Sequence, residues 1–137
     1  MKKTTKLILA ALMLLCPFAA KGQNEAYDVF KPISKYLAEG DVIRLSSWFD
    51  DNLELSLPSR TINCSKNQAA KTLHSFFSTY TPHAFILRHQ ASKSNMKYCL
   101  GELKAGGENF EVTVFLVLRK DRFLIQQIKI DRKDELF

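Results

Sequence analysis

The sequence lacks a hydrophobic run long enough to cross a membrane. Its apolar stretch LILAALMLLC, at residues 7–16, falls well short of the roughly 20 residues that a transmembrane helix needs. Glycine and proline are also scarce, at five and four of 137 residues, and there are no repeats and no low-complexity tracts. These absences argue against a membrane-spanning or repetitive protein and favour one compact domain.

Acidic side chains are absent from the first 22 residues. A basic start, the apolar stretch and the small residues Ala20 and Gly22 follow one another there. This order is typical of a secretory signal peptide that is cleaved before Gln23. We therefore expect a signal peptide at residues 1–22, a single domain at residues 23–137, and a location in the periplasm or outside the cell.

Two other interpretations of the N-terminal segment stay open. The apolar stretch is an uncleaved anchor in one of them. In the other, Cys16 carries a lipid, although Leu15 before it is larger than the residue that lipidation favours.

Most of the positive charge lies in the predicted signal peptide. The whole chain has a formal net charge of +6, but residues 23–137 carry 16 basic and 14 acidic side chains. A nearly neutral domain exerts no general electrostatic attraction on nucleic acid. Only Cys64 and Cys99 remain in this domain, and export permits a disulfide between them.

Motifs for metals, nucleotides and activated nucleophiles are also absent. His83 and His89 lie six residues apart on one extended segment, which separates them by roughly 20 Å. The ligands of one zinc ion must lie within a few ångströms of each other. The sequence therefore predicts no metal site and no cofactor.

Helical and strand patterns account for nearly all of the predicted domain. Ser65 and Gln68 form a capping box ahead of a strongly amphipathic segment, and several other segments alternate polar and apolar residues. The order of elements is ααββαββββ, which indicates an α+β fold. The predicted helices lie at 25–39, 42–49 and 66–80, and the predicted strands at 52–58, 61–64, 84–91, 97–104, 109–118 and 122–130.

This order of elements resembles the nuclear transport factor 2-like, or cystatin-like, superfamily. The segments that carry the resemblance are DVFKPI, GDVIRLSSWFDDNLELSLP and FLIQQIKI. Within the superfamily, the segments resemble an uncharacterised family of small exported bacterial proteins with a domain of unknown function. The resemblance implies a cone-shaped fold, in which a curved, mostly antiparallel sheet wraps on helices around a cavity. It also implies that Cys64 and Cys99 are free thiols, because several strands separate them and a disulfide needs Cα atoms within about 7 Å.

Strand parity assigns side chains to the two faces of the predicted sheet. Because Lys129 must reach solvent, Ile125 and Gln127 share its outer face, and Gln126 points toward the helices. The candidates for a cavity lining are Gln126, Tyr98, His89, Trp48, Phe76 and Phe30. The candidates for a dimer contact on the outer face are Phe115, Val117, Ile125 and Gln127.

These patterns predict a non-catalytic binding module for a small apolar molecule or a protein partner, which includes a second copy of the chain. They predict neither nucleic acid as a partner nor a membrane span after signal cleavage. No acidic residue falls clearly on the inner face, which argues against an enzyme. One alternative is a pocket enzyme of the isomerase or dehydratase kind that uses His89, Tyr98 and Gln126. Another is a structural or inhibitor-like domain that acts through its surface.

Overall fold

Three helices and six strands follow the predicted order ααββαββββ within residues 28–133, which are the residues that the computed structural model describes. The predicted signal peptide and Cys16 lie outside this range. The helices are α1 (Phe30–Glu39), α2 (Val42–Ser46) and α3 (Lys66–Thr79). The strands are β1 (Phe49–Leu57), β2 (Arg60–Ser65), β3 (Pro82–Ser92), β4 (Met96–Ala105), β5 (Glu108–Arg119) and β6 (Arg122–Arg132).

The ends of α1 follow from local hydrogen bonding. The carboxylate of Asp28 accepts a hydrogen bond from the Phe30 N–H at 2.9 Å, and the helix begins there. Pro32 therefore lies in the first turn, where its missing N–H removes no helical hydrogen bond. Gly40, with a φ of 67°, ends the helix in the left-handed conformation that glycine adopts most easily.

The helix α3 begins where the sequence predicted it. The Ser65 hydroxyl accepts a hydrogen bond from the Gln68 N–H at 3.2 Å, as a helix cap does. Ala69, Leu73 and Phe77 lie on its buried face. The spacing of these residues in the sequence therefore gave the orientation of the helix as well as its position.

One sheet contains all six strands, in the order β2-β1-β6-β5-β4-β3. Every neighbouring pair is antiparallel except β1 and β6, which are parallel. Three strands separate Cys64 on β2 from Cys99 on β4, a spacing of about 19 Å at about 4.8 Å per strand. Both cysteines are buried free thiols.

The helices cover one face of the sheet and form the core with it. Val112, Val114 and Leu116 of β5 are fully buried on this face, as are Ile33 and Leu37 of α1. The place where the resemblance implied a cavity is thus packed with apolar side chains. None of the helices within residues 28–133 has the length and hydrophobicity that crossing a membrane requires.

A β-bulge at Gln126 changes which side chains of β6 face the helices. Phe115 pairs with Gln127, but the next residue, Leu116, pairs with Ile125, so Gln126 is an extra residue in β6. A bulge of this kind shifts the alternation of faces by one position. Ile125 is consequently 0% exposed in the core, and its assignment to the outer face was wrong.

The same shift applies to the residues before the bulge. Phe123 packs against the core on the helix-facing side, whereas parity without a bulge places it outside. Beyond the bulge parity holds, because Ile128 and Ile130 are buried and Lys129 is exposed.

Candidate functional site

The six residues predicted to line a cavity do not surround one space. Phe30 is only 2% exposed and belongs to the core. Phe76 is half-buried in an aromatic cluster, with its ring centroid 5.1 Å from that of Tyr80 and 5.3 Å from that of Phe110. These two side chains therefore stabilise the packing between helix and sheet.

His89 and Tyr98 are the two cavity candidates that the structure brings together. Their ring centroids lie 5.8 Å apart. Tyr98 pairs with Phe115 and lies on the face of the sheet that points away from the helices, and His89 is exposed to solvent. The prediction that these two residues point toward a helix-side cavity was wrong. A register shift between Leu87 and His89 re-aims the end of β3, and on β4 the buried residue is Cys99, so its neighbour Tyr98 points the other way.

Gln126 lies at an open cleft of about 500 Å³, which we call the amide cleft. Its polar lining residues are Asn52, Glu54, Asn63, Gln126 and Gln127, and Phe115 contributes an aromatic wall. Gln127 donates a hydrogen bond to the Glu54 carboxylate at 2.5 Å. Glu54 and Gln127 lie on the outer side of the sheet, so Gln126 takes part in an outer-face cleft rather than in a helix-side cavity.

Half-buried apolar side chains continue across the outer face of β4, β5 and β6. Phe115 and Val117, predicted for a dimer contact, belong to this group, whereas Ile125 does not. No helix within residues 28–133 packs on this side. We call the group the outer strip, and its members are Met96, Tyr98, Leu100, Phe115, Val117 and Leu124.

Trp48 lines a second cleft, also of about 500 Å³, which we call the Trp48 cleft. The chain after α2 is held by a hydrogen bond from the Trp48 N–H to the Leu45 carbonyl at 3.0 Å. The Trp48 carbonyl accepts from the Ile125 N–H at 2.6 Å, which attaches this segment to β6. Lining side chains of the cleft are Val29, Trp48, Lys97, Asp121, Arg122 and Phe123.

The Trp48 cleft combines aromatic rings with positive charge. The ammonium of Lys97 lies 4.9 Å from the centroid of the Phe123 ring, a cation–π geometry. The Arg122 guanidinium donates to the Ser47 carbonyl at 3.4 Å. The Lys97 ammonium donates to the Ser92 hydroxyl at 3.1 Å. Among residues 28–133, neither Lys97 nor Arg122 has a carboxylate at ion-pair distance.

Sequence reasoning selected Trp48 but missed Lys97, Arg122 and Phe123. The short turn between β5 and β6 was a usable signal, because it places Arg122 and Phe123 at one end of the sheet. The bulge then decides that Phe123 points to the helix side, and sequence parity alone gave the opposite answer.

The groups with shifted pKa values lie outside both clefts, apart from Cys64 at the border of the amide cleft. Burial raises the pKa of the Cys99 thiol to about 12 and also raises that of Cys64, so both stay protonated at neutral pH. The hydrogen bond from Arg88, together with Lys133, lowers the pKa of Glu102. Within the described part of the chain, no three His, Cys, Asp or Glu side chains are grouped to hold a metal ion.

Comparison with known proteins gives the family and the fold. The sequence model of the family DUF4783, a domain of unknown function, matches residues 30–131 of this chain. No curated protein matches the sequence significantly. A DUF4783 protein from Bacteroides uniformis is 26% identical with a TM-score of 0.76, and the match covers 79% of this chain and 100% of that one. A second, from Bacteroides ovatus, is 27% identical with a TM-score of 0.72 and coverages of 75% and 94%.

A more distant structure has the same fold. A nuclear transport factor 2-like protein of unknown function from Cytophaga hutchinsonii is 8% identical, with a TM-score of 0.54 over 74% of this chain and 83% of that one. At this identity the likeness concerns the fold alone. The resemblance seen in the sequence is confirmed: the chain belongs to the DUF4783 family, and its domain has the α+β nuclear transport factor 2-like fold.

Proposed function

We propose that this domain is a binding module that holds a small apolar molecule carrying a carboxylate in the Trp48 cleft. The supporting observation is that two aromatic rings, Trp48 and Phe123, stand beside two cations that have no carboxylate partner within residues 28–133. The rings provide contact area for an apolar body, and Lys97 and Arg122 provide charged donors for its carboxylate.

Size and charge agree with this ligand class. A volume of about 500 Å³ lies within the range of roughly 300–1,000 Å³ that small-molecule sites occupy. Asp121 is the one carboxylate among the lining side chains, against the two cations. The cleft therefore favours an anion over a cation of the same shape.

Tryptophan fluorescence tests the proposal, because Trp48 is the single tryptophan of the chain. Decanoate does not absorb where tryptophan does, so it is a suitable probe below its micelle-forming concentration. We expect decanoate to shift the Trp48 emission to shorter wavelength, and 1-decanol, which lacks the carboxylate, to bind more weakly. Lys97→Gln should weaken decanoate binding by about tenfold or more, since a hydrogen bond to a charged group contributes about 1.5–3 kcal/mol.

Lys104→Gln is the matched control, because Lys104 is an exposed lysine of the same strand outside the cleft. It should bind decanoate as the wild type does. An emission spectrum that decanoate leaves unchanged would refute the proposal. Equal affinity for decanoate and 1-decanol would show that the two cations do not contribute to binding.

The outer strip favours a second function, assembly with another copy of the chain. Its six apolar side chains include no charged residue and remain partly exposed. An uncharged apolar patch packs against its own copy without electrostatic repulsion, as a two-fold symmetric dimer requires. We propose a homodimer through this strip, which is independent of ligand binding in the Trp48 cleft.

The alternative of an isomerase or dehydratase has less support. It requires His89, Tyr98 and Gln126 in one pocket, but β5 lies between Tyr98 on β4 and Gln126 on β6. Export through residues 1–22 stays a prediction, since this segment lies outside the described residues. The mass of the chain recovered from the periplasm or the medium checks it.

A further inference from the structure

The amide cleft shares no lining residue with the Trp48 cleft, and Phe115 is the one lining residue that it shares with the outer strip. It collects four amide side chains and one carboxylate from three strands: Asn52 and Glu54 from β1, Asn63 from β2, and Gln126 and Gln127 from β6. The lining of the cleft is therefore mostly uncharged amides, whereas an ordinary exposed sheet face carries a mixture of positive and negative side chains.

Two irregularities of the sheet create this cleft. Phe49 pairs with Ile125 and Glu54 pairs with Gln127, so four residues of β1 lie opposite Gln126 alone. Gln126 is also the extra residue of the bulge against β5. Because the regular pairing of β6 is interrupted on both sides at this residue, the surface is concave there instead of flat.

The hairpin of β1 and β2 adds the remaining wall. Its two-residue turn sets the register in which Glu54 pairs with Asn63. Outward-facing side chains therefore form a row across the strands, which runs from Phe115 through Gln127 and Glu54 to Asn63. The cleft is built on strands that the core holds in place, not on a loop.

Most hydrogen-bonding groups in the cleft are unused. Gln127 donates to Glu54, but the side-chain amides of Asn52, Asn63 and Gln126 form no hydrogen bond to any residue from 28 to 133. Each primary amide offers two N–H donors and an oxygen acceptor. The cleft thus presents donors and acceptors together, beside the flat apolar ring of Phe115.

We propose that the amide cleft binds a neutral polyhydroxylated ligand, namely a sugar unit. A sugar hydroxyl donates and accepts at once, as a side-chain amide does, and the C–H face of a sugar ring packs on an aromatic ring. No lysine, arginine or histidine lines the cleft, so an anion gains no charged donor. The single carboxylate of the cleft, that of Glu54, already accepts a hydrogen bond from Gln127, so it is only partly available to a cation.

Nuclear magnetic resonance of the 15N-labelled protein tests this, because side-chain amide N–H signals are observed individually. The probes are the methyl glycosides of glucose, galactose and N-acetylglucosamine at millimolar concentration. At least one should shift the signals of Asn52, Asn63 and Gln126. The signals of Asn67 and Gln68, exposed on α3, serve as internal references and should not move.

Two variants and one control compound sharpen the test. Gln126→Ala and Asn63→Ala should each weaken binding about fivefold, the effect of one lost hydrogen bond of about 1 kcal/mol, whereas Asn67→Ala should have no effect. Asn63 is exposed on the edge strand β2, so its variant is expected to fold. Cyclohexanol has a similar ring with one hydroxyl group and should bind more weakly than the best glycoside.

Three results would overturn the proposal: no glycoside shifts the cleft signals, both variants keep the wild-type affinity, or cyclohexanol binds as tightly as the glycosides. None of them bears on the Trp48 cleft, whose test uses a different probe and signal.

Discussion

Adjacent glutamines, Gln126 and Gln127, behave differently although they are neighbours in an apolar strand. Gln127 lies beside Glu54 and donates a hydrogen bond to its carboxylate. Gln126 is the bulge residue, and its amide is available in the amide cleft. At the scale of residues, side-chain function here depends on one irregular position in the backbone.

Glu102 is a second residue whose surroundings have consequences. Of the charged side chains within residues 28–133, it is the one that is buried, at 8% exposure. Arg88 donates to it at 2.8 Å, and Lys133 lies 3.5 Å away. These contacts lower its pKa below the ordinary value of 4.5. The folded state therefore favours the charged carboxylate more than the unfolded state does.

This pKa shift predicts part of the acid sensitivity of the fold. A carboxylate whose pKa is lower in the folded state stabilises the fold at pH values above its pKa in the unfolded state. That contribution is lost as the pH falls through its pKa in the folded state. In Glu102→Gln the free energy of unfolding should thus decrease less steeply below about pH 4.5 than in the wild type. Urea titrations at several pH values measure the slope.

Glu39→Gln is the control for this measurement, since Glu39 is exposed on α1 and forms no ion pair within residues 28–133. It should keep a slope close to that of the wild type. Identical slopes for the wild type and Glu102→Gln would contradict the prediction.

The decisive element is β6. Its second half follows simple alternation, with Ile128 and Ile130 inside and Lys129 outside. Its first half is displaced by the bulge, which places Ile125 in the core and Phe123 at the Trp48 cleft. One extra residue in this strand therefore determines the shape of both clefts.

Deleting Gln126 should strongly destabilise the domain. Without the extra residue, either half of β6 must turn its apolar side chains to solvent, and full burial of one isoleucine contributes about 1.5–3 kcal/mol. We expect the free energy of unfolding in urea to fall by about 3 kcal/mol or more. Gln126→Val, which keeps the residue count, should remain close to the wild type, and equal stability of the two variants would refute a structural role of the bulge.

At the scale of the whole molecule, the helices within residues 28–133 cover one face of the sheet and leave the other uncovered. The helices bury the first face against Val112, Val114 and Leu116. The second face carries the outer strip and the amide cleft. Function is therefore proposed for the uncovered face and for the Trp48 cleft, because the packed interior holds the domain together.

Sedimentation tests the proposed dimer. The wild-type protein should sediment with twice the monomer mass at high concentration, and Phe115→Glu should return it to a monomer, since a charge in the strip is desolvated on assembly. Ser59→Glu adds the same charge in the exposed β1–β2 turn and should leave the dimer intact. A wild-type protein that stays monomeric at every concentration would disprove it.

Local patterns sufficed for the elements of the domain. Every predicted strand is present with ends within three residues, and α1 ends and α3 begins at the predicted residues 39 and 66. These features depend on neighbours in the chain, through caps, turns and alternating faces. The family segments added the fold, which the comparisons confirm.

Tertiary structure decided the sites. The cavity candidates Phe30 and Phe76 became core and cluster residues, Ile125 moved inside, and Gln126 moved to the outer cleft. Whether a strand contains a bulge depends on the pairing of β6 with both β1 and β5, and those partners lie far away in the sequence. The sequence by itself thus determined the helices, the strands and their order. The faces of β6, and with them both clefts, were decided only by the register in which distant strands meet.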